Sequence, residues 1–236
     1  MYHLSRQAFL CETCRYYVFM NLTGDNYLYV PREDLAELVP WIHGGPLGPR
    51  KARPAKTRPS AAAIALAAEL VAAGVLMEGL PDHEVPMRLA ATPISDLASA
   101  RPPLDPPGRS LHLFASVATS LIYARRALRS TPISLIVDAV AERKRALSAV
   151  EPAEWNRAAQ LTKAFLHHRP LFPWDYRCLF DSLALIRFLS RFRLYPDWVF
   201  GVQDDPFSAH CWVQAGPLVL NDDLERVRSY TSIMTI

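Results

Sequence analysis

Cys178-Leu179-Phe180-Asp181-Ser182-Leu183-Ala184-Leu185, then Ala209-His210-Cys211-Trp212-Val213-Gln214, then Leu218-Val219-Leu220-Asn221-Asp222 are the segments on which the reading of this 236-residue chain turns. The first is helical, because Leu179, Leu183, Ile186 and Leu189 recur at helical intervals behind the cysteine. Few residues ahead of it look helical, so Cys178 belongs to the first turn. There the exposed backbone N–H groups and the positive end of the helix dipole favour a thiolate. The same N–H groups are placed to hold the oxyanion of a tetrahedral intermediate. The second segment reads as a strand carrying His210, and the third follows a glycine turn.

Hairpin arithmetic relates His210 to Asp222. With a three-residue loop Ala215-Gly216-Pro217 centred on the glycine, Gln214 faces Leu218, Trp212 faces Leu220 and His210 faces Asp222. Directly opposed residues have Cβ atoms roughly 4.5–5.5 Å apart, close enough for a carboxylate to orient an imidazole and fix its tautomer. Asn221 and Asp223 then point to the other face. A loop of two residues shifts the register by one and sets Asn221 opposite His210, and an Asn also serves to orient the ring. The expected site is therefore Cys178 as nucleophile, His210 as base and Asp222 as its orienter, the parts of a papain-like or transglutaminase-like thiol site.

A family resemblance rests on the same residues. The run from Cys178 to Leu185, then Gly201-Val202-Gln203-Asp204-Asp205-Pro206-Phe207-Ser208-Ala209-His210-Cys211-Trp212-Val213, then Asn221-Asp222, resembles the transglutaminase-like B proteins of lasso-peptide biosynthesis. Those are cysteine proteases that cut the leader from a ribosomal precursor peptide. The likeness covers the last 60 residues. Cys211 stands where the family usually carries Ala and is expected to face away from His210 as a small buried residue. Phe180-Asp181 stands where basic residues are common.

Composition sets the bounds. The chain is long enough for one large domain or two small ones, and half of its residues are apolar. A net charge of +3 is too weak a basic bias to argue for nucleic acid. There is no run apolar enough to span a membrane and no secretory signal at the N-terminus. Four scattered cysteines do not make a disulfide framework, so a reducing cytoplasm is expected. The Cys11-x-x-Cys14 pair lacks a second pair of suitable spacing, which favours a plain turn over a metal site.

Residues 1–30 predict a small antiparallel sheet, with Leu4–Leu10 as a first strand, Tyr16–Leu22 as a second and Tyr27–Val30 returning after the turn at 23–26. Pro31 opens a helix whose stripe is Asp34, Leu35, Leu38, Val39 and Ile42. A basic, proline-rich run follows at 50–58. Ser60 caps a helix over 61–73, ended by Gly74. Residues 1–80 resemble the PqqD-like winged helix-turn-helix domain that binds leader peptides. The resemblance implies that a leader adds as a strand in a groove between Tyr27, Leu28, Tyr29 and Val30 on one side and Ile64, Ala67, Ala68 and Val71 on the other. The helix at 61–73 lacks the Arg, Asn and Gln that read base edges, which argues against DNA.

Prolines crowd residues 81–109, read as an interdomain linker. Three helices follow. Their apolar stripes are Leu111, Phe114, Ala115, Ala118, Leu121 and Ile122, then Leu135, Ile136, Ala139 and Val140, then Trp155, Ala159, Leu161, Ala164 and Phe165. In the second, Arg143, Lys144 and Arg145 are expected to point outward. His167 and His168 end the third, where a capping role is expected. Leu171–Trp174 is an apolar loop ahead of Cys178, and Tyr176 is a candidate oxyanion donor. Asp197–Val202 predicts a strand, and the tail from Leu224 gives no chemical signal.

The expectation is thus an α+β protein: a PqqD-like winged helix-turn-helix domain over 1–80, a linker over 81–109, and a papain/transglutaminase-like cysteine protease domain over 110–236. The resemblance implies a precursor peptide, leader and core, as substrate. It also implies a partner lasso cyclase resembling asparagine synthetase, and ATP dependence in some relatives. No Gly-x-x-x-x-Gly-Lys loop is present to cradle ATP phosphates, and no cofactor or metal is required by these residues. Two rival readings share the same residues: acyl transfer to an amine, as in a transglutaminase, and a leader-binding scaffold without catalysis.

Overall fold

The structure is a computed structural model that describes residues 1–43, 59–80, 90–97, 110–146 and 152–236. The chain is a mixture of helices and sheets in two units. One comprises Met1–Arg88 with Val202–Ser208, the other Leu89–Gly201 with Ala209–Ile236.

In the first unit, the stretch read as one strand is two. β1 (Tyr2–Leu4) and β2 (Ala8–Glu12) belong to different sheets, because the chain turns at Ser5, whose carbonyl accepts from Ala8 N at 3.0 Å. β3 (Tyr16–Asn21) and β4 (Asn26–Pro31) complete an antiparallel sheet in the order β2-β3-β4, with Phe19 opposite Leu10 and Leu28. The helix expected from Pro31 to Ile42 stops after one turn as α1 (Arg32–Leu35). Pro40 lacks the N–H that a continuing α-helix would bond to the Ala36 carbonyl. The chain instead makes a 3-10 turn at Val39–Trp41 and enters β5 (Ile42–His43). Of the expected stripe Leu35, Leu38 and Ile42 are buried all the same, Val39 is half-buried and Asp34 is exposed.

α2 (Ala61–Ala72) begins where Ser60 Oγ accepts from Ala63 N and ends at Gly74, whose φ of +74° is the left-handed conformation that stops a helix. β6 (Leu76–Glu78) then pairs with β1 in a second sheet, β5-β1-β6. Leu4, Leu10, Phe19, Val30, Leu70 and Leu76 share one core. The hairpin tip at Val202–Ser208 is grouped with this unit: Phe207 meets Tyr29 edge-on and Tyr27 at a tilt, and Arg15 pairs with Asp205. The basic run at 50–58 lies outside the described residues.

Among the described residues the second unit has five α-helices and a five-stranded sheet. α3 (Leu111–Ser130) buries Val117, Ser120, Leu121 and Ala124, while Leu111 is 85% exposed. Its inner face is therefore rotated from the expected stripe. Ser116 and Ser120 lie on that face, where Ser120 Oγ donates to the Ser116 carbonyl at 2.7 Å and so keeps its own hydroxyl paired inside the protein. α4 (Ile133–Arg145) buries Ile136, Val137 and Val140 and leaves Leu135 exposed. Lys144, expected to point outward, turns in to pair with Asp197 and donates to the Ile236 carbonyl at 2.9 Å. α5 (Pro152–His168) buries Ala158, Ala159, Ala164 and Phe165, and the Phe165 ring lies 5.5 Å from that of Phe188. His168 caps nothing: it is buried, edge-on to Phe114, and both ring nitrogens lack a partner. Burial holds its pKa below the ordinary value.

α6 (Cys178–Ser190) is the central helix, with Ser182 to Ile186, Phe188 and Leu189 all buried. β8 (Asp197–Asp204), β9 (Phe207–Ala215), β10 (Leu218–Val219) and β11 (Thr231–Thr235) form a sheet in the order β11-β8-β9-β10-β7. The last strand, β7 (Ser95–Asp96), comes from the proline-rich stretch read as a linker. Gln214, fully buried, holds that stretch by donating to the Ala91 carbonyl, and Asp96 accepts from Leu224 N at 2.9 Å. Residues 81–89 and 98–109 of the same stretch lie outside the described residues. The tail without chemical signal supplies α7 (Leu224–Arg228) and β11.

Gly216 carries two constraints. Its φ is +57°, and a Cβ there would come within 2.4 Å of the Trp155 ring. Gly216→Ala is expected to cost about 1–3 kcal/mol, from left-handed strain added to a clash with an aromatic wall. Urea denaturation of the two proteins measures the difference.

Candidate active site

Cys178 is the first residue of α6, preceded by Arg177 in extended conformation. Its sulfur therefore sits among the N–H groups of the first turn, which have no partner within the helix. β9 runs past it and supplies His210, which is buried and hydrogen-bonded to the sulfur. His210 Nε2 bonds Asp222 Oδ2, which leaves Nδ1 for Cys178. Asp222 is further fixed by Asp223 N, which donates to its other oxygen at 2.8 Å. The ring of His210 is flanked by Tyr230, centroids 5.1 Å apart, and by Trp212 at 6.2 Å. The structure thus brings the three expected residues together in one hydrogen-bonded chain.

The electrostatics follow from these contacts. The Cys178 pKa is lowered to about 4 by hydrogen bonds from Cys211 and from His210, against the cost of burial. Burial opposes the charged form of His210 too, but its bonds to Asp222 and Cys178 raise its pKa to about 9. Asp222 stays below the usual carboxylate range despite its burial, through the His210 bond and the Asp223 N–H. Between those two values the site holds a thiolate beside an imidazolium. That pair is an activated nucleophile with its acid already charged. Cys211 departs from expectation. It is buried, but its thiol and backbone bond Cys178 instead of facing away inertly. Burial, then the neighbouring thiolate, push its own pKa well above the ordinary thiol value.

The route by which Asp222 reaches His210 also differs from the arithmetic. Leu218 pairs with Ala215 and Val219 with Gln214, so the loop is Gly216-Pro217 and the register is neither of the two expected. Continued, it would set His210 opposite Asp223. β10 ends at Val219, however, and the chain bends at 220–222. Asn221 then accepts from Val213 N at 2.7 Å and donates to Ser182 Oγ at 3.0 Å. Ser182 in turn donates to the Cys211 carbonyl at 3.3 Å. Asp223 caps α7 by accepting from Glu225 N and Arg226 N. Side-chain bonding, not strand pairing, carries Asp222 to the imidazole. Sequence reading assigned no role to Ser182. Its offset of four residues from Cys178, which puts both on one helix face, was the signal available.

Tyr176, named as an oxyanion donor, is 65% exposed, and its ring lies 4.2 Å from the Arg169 guanidinium. The apolar loop ahead of it forms an aromatic ladder: Phe114 stacks on Phe172, Phe172 meets Trp174, and Trp174 meets Phe180 edge-on. In the first unit the eight residues named for leader binding divide. Val30 and Ala67 are buried in the core cluster of that unit. Tyr29, Ile64 and Ala68 are exposed, and Tyr27, Leu28 and Val71 are half-buried. Cys11 is buried, with its pKa pushed up to about 12, while Cys14 is exposed.

A thiolate at a helix start, an imidazole on the neighbouring strand and a carboxylate beyond it make a thiol-dependent acyl-transfer site. The sequence profile of the transglutaminase-like superfamily matches residues 118–235, half of the chain and all of this site, and the chain belongs to that superfamily. Comparison with curated proteins gave no match, and comparison with solved structures gave none either. Among the described residues no helix is long and apolar enough to cross a membrane.

Three outcomes are expected. Thiol-dependent turnover rises through pH about 4 as Cys178 ionises and falls through pH about 9 as His210 loses its proton. Asp222→Ala moves the upper limb to lower pH, and a pH–rate profile of both proteins reads the shift. Asn221→Ala leaves Val213 N and Ser182 without their partner and is expected to cost about 1–3 kcal/mol, measured by urea denaturation.

Proposed function

We propose that this protein is a cysteine endopeptidase that removes the leader of a ribosomally made lasso-peptide precursor and delivers the core to a cyclase. The observation that carries the reading is the bonded series Cys178–His210–Asp222 at the start of α6, within a transglutaminase-like domain. The resemblance of the Cys178, His210 and Asn221-Asp222 motifs to the lasso-peptide B proteins supplies the substrate class.

The chemistry follows from the ion pair. The Cys178 thiolate attacks the scissile carbonyl, and the first-turn N–H groups of α6 receive the oxyanion. His210 passes its proton to the leaving amine, and the carbon–nitrogen bond breaks to leave a thioester on Cys178. Water then attacks the thioester, giving its proton to His210, and the carboxylate product leaves as the thiolate returns. Asp222 holds the ring in place throughout. If an amine replaced water in the second step, the same residues would perform transglutamination, and superfamily membership supports both outcomes.

Leader recognition is assigned to the first unit, as a PqqD-like winged helix-turn-helix. β4 is the end strand in the order β2-β3-β4, the position in a sheet at which an added strand pairs. Tyr29, Ile64 and Ala68 are the exposed side chains of the expected groove. The remaining expectations stand as proposals: a reducing cytoplasm, a partner cyclase resembling asparagine synthetase, and ATP dependence without a phosphate loop in this chain.

Mass spectrometry of the precursor peptide after incubation with the protein tests the reading. Cleavage between leader and core is expected, and Cys178→Ala is expected to lower the rate at least about 1000-fold while leader binding persists. Unchanged processing by Cys178→Ala would leave only a scaffold. A product carrying a new amide to an added amine would make the enzyme a transglutaminase.

A further inference from the structure

Among the described residues no ionic side chain is more deeply buried than Arg169, which is 1% exposed. It lies in the 3-10 turn Arg169–Leu171 that follows α5. Its Nε donates to Asp181 Oδ1. Nη1 donates to the Phe172 carbonyl at 3.3 Å, and Nη2 donates to those of Trp174 and Asp175 at 3.0 and 3.2 Å. The rings of Tyr176 and Phe180 lie 4.2 and 5.5 Å from the guanidinium. Nearly every bond this side chain makes therefore falls on the segment leading into Cys178.

Asp181 completes the arrangement from the other side. Its Oδ2 accepts from Arg177 N at 2.8 Å, and Asp181 N donates to the Arg177 carbonyl at 2.9 Å. The backbone immediately before the nucleophile is thereby tied to the turn immediately after it. A planar trans peptide points its N–H opposite to its carbonyl. With the carbonyls of Trp174 and Asp175 drawn onto Arg169, the N–H groups of Asp175 and Tyr176 point away from it. A lysine has no planar fork with which to hold three carbonyls and a carboxylate at once.

We propose that Arg169 and Asp181 form a positioning clamp for Cys178: the guanidinium shapes residues 172–177, and the ion pair cancels a carboxylate that would otherwise oppose the thiolate from its own helix. The proposal rests on Cys178 being the nucleophile. Neither residue touches the sulfur in any contact described, so both act through the backbone and through the local field. Among the described residues, the other titratable or charged groups that face the site are His210 and Cys211 from β9, Asp222 from the loop beyond β10, Arg226 from α7 near Asp222, Tyr230 against His210, Tyr176 over the guanidinium, and Arg177 at the helix cap, whose side chain approaches Asp175.

The test is the pH dependence of iodoacetamide alkylation on the full chain, read on the Cys178 peptide by mass spectrometry so that exposed Cys14 does not interfere. The alkylation midpoints need no peptide substrate and so stand apart from the protease reading; only the kcat arm below depends on it. Arg169→Met is expected to raise the Cys178 midpoint by about one pH unit, by leaving the Asp181 charge uncompensated. Adding Asp181→Asn is expected to restore it. Arg169→Lys keeps the charge and loses the fork, so the midpoint holds while kcat for precursor cleavage falls at least about 10-fold at little change in KM. Asp181→Asn alone, which leaves the arginine in place should the Arg169 variants fail to fold, is expected to lower the midpoint by about half a unit. A folded Asp181→Asn or Arg169→Met protein with an unmoved midpoint would overturn the clamp while leaving the thiol site intact. A wild-type midpoint at the ordinary thiol value would overturn the thiol site and the clamp together.

Discussion

The meeting of the first turn of α6 with β9 is the constraint on which the site depends. A helix can present a thiolate among its N–H groups anywhere on a surface, but the sulfur becomes a catalyst only where an imidazole is held beside it. That distance is set one turn further along, where Ser182 donates to the carbonyl of Cys211, and Asn221 holds Ser182 from behind. The bond ties the residue four after the nucleophile to the residue one after the base. A slip of the helix along the strand would strand a buried hydroxyl and a buried carbonyl, each of which costs free energy when unpaired. The polar network therefore fixes position more sharply than the apolar packing around it.

Three consecutive polar residues close the arrangement, and each has a different task. Asn221 braces β9 and α6, Asp222 orients the imidazole, and Asp223 caps α7. Ordinary strand alternation cannot aim neighbouring side chains at three separate targets. The bend after Val219 permits it by releasing the chain from the ladder. The same release brings in the tail, whose Tyr230 lies against His210 on one side. Gly201 leaves room for this contact, since a Cβ there would come within 2.9 Å of Tyr230 and 3.0 Å of the Trp212 ring.

The charge balance of the site has a similar local logic. The thiolate is stabilised by Cys211 and His210, whereas burial alone would have raised its pKa. Cys211, with a pKa pushed well above the ordinary value, remains a neutral donor under conditions in which Cys178 is charged. Two thiols in contact thus take opposite protonation states because one begins a helix beside an imidazole and the other lies in the interior of a sheet.

Sequence alone determined the identities and order of Cys178, His210 and Asp222, the helix that starts at Cys178 and the strand that carries His210. These are local matters: apolar periodicity and strand composition are properties of neighbouring residues. It also marked Leu35, Leu38 and Ile42 as core, yet missed that Pro40 breaks their helix. Tertiary structure decided the rest. The inner face of α3 was set by what α6 could accept, and small serines displaced the larger stripe at Leu111 and Ile122. Residues 95–96, proline-flanked and without strand character, became a strand because Gln214 and β10 offered partners. Asp222 reached His210 through a bend that no register count contains, and Arg169 found Asp181 across the loop between two helices. Each of these depends on a buried polar group finding a partner distant in sequence, and only the folded chain determines which partner is near.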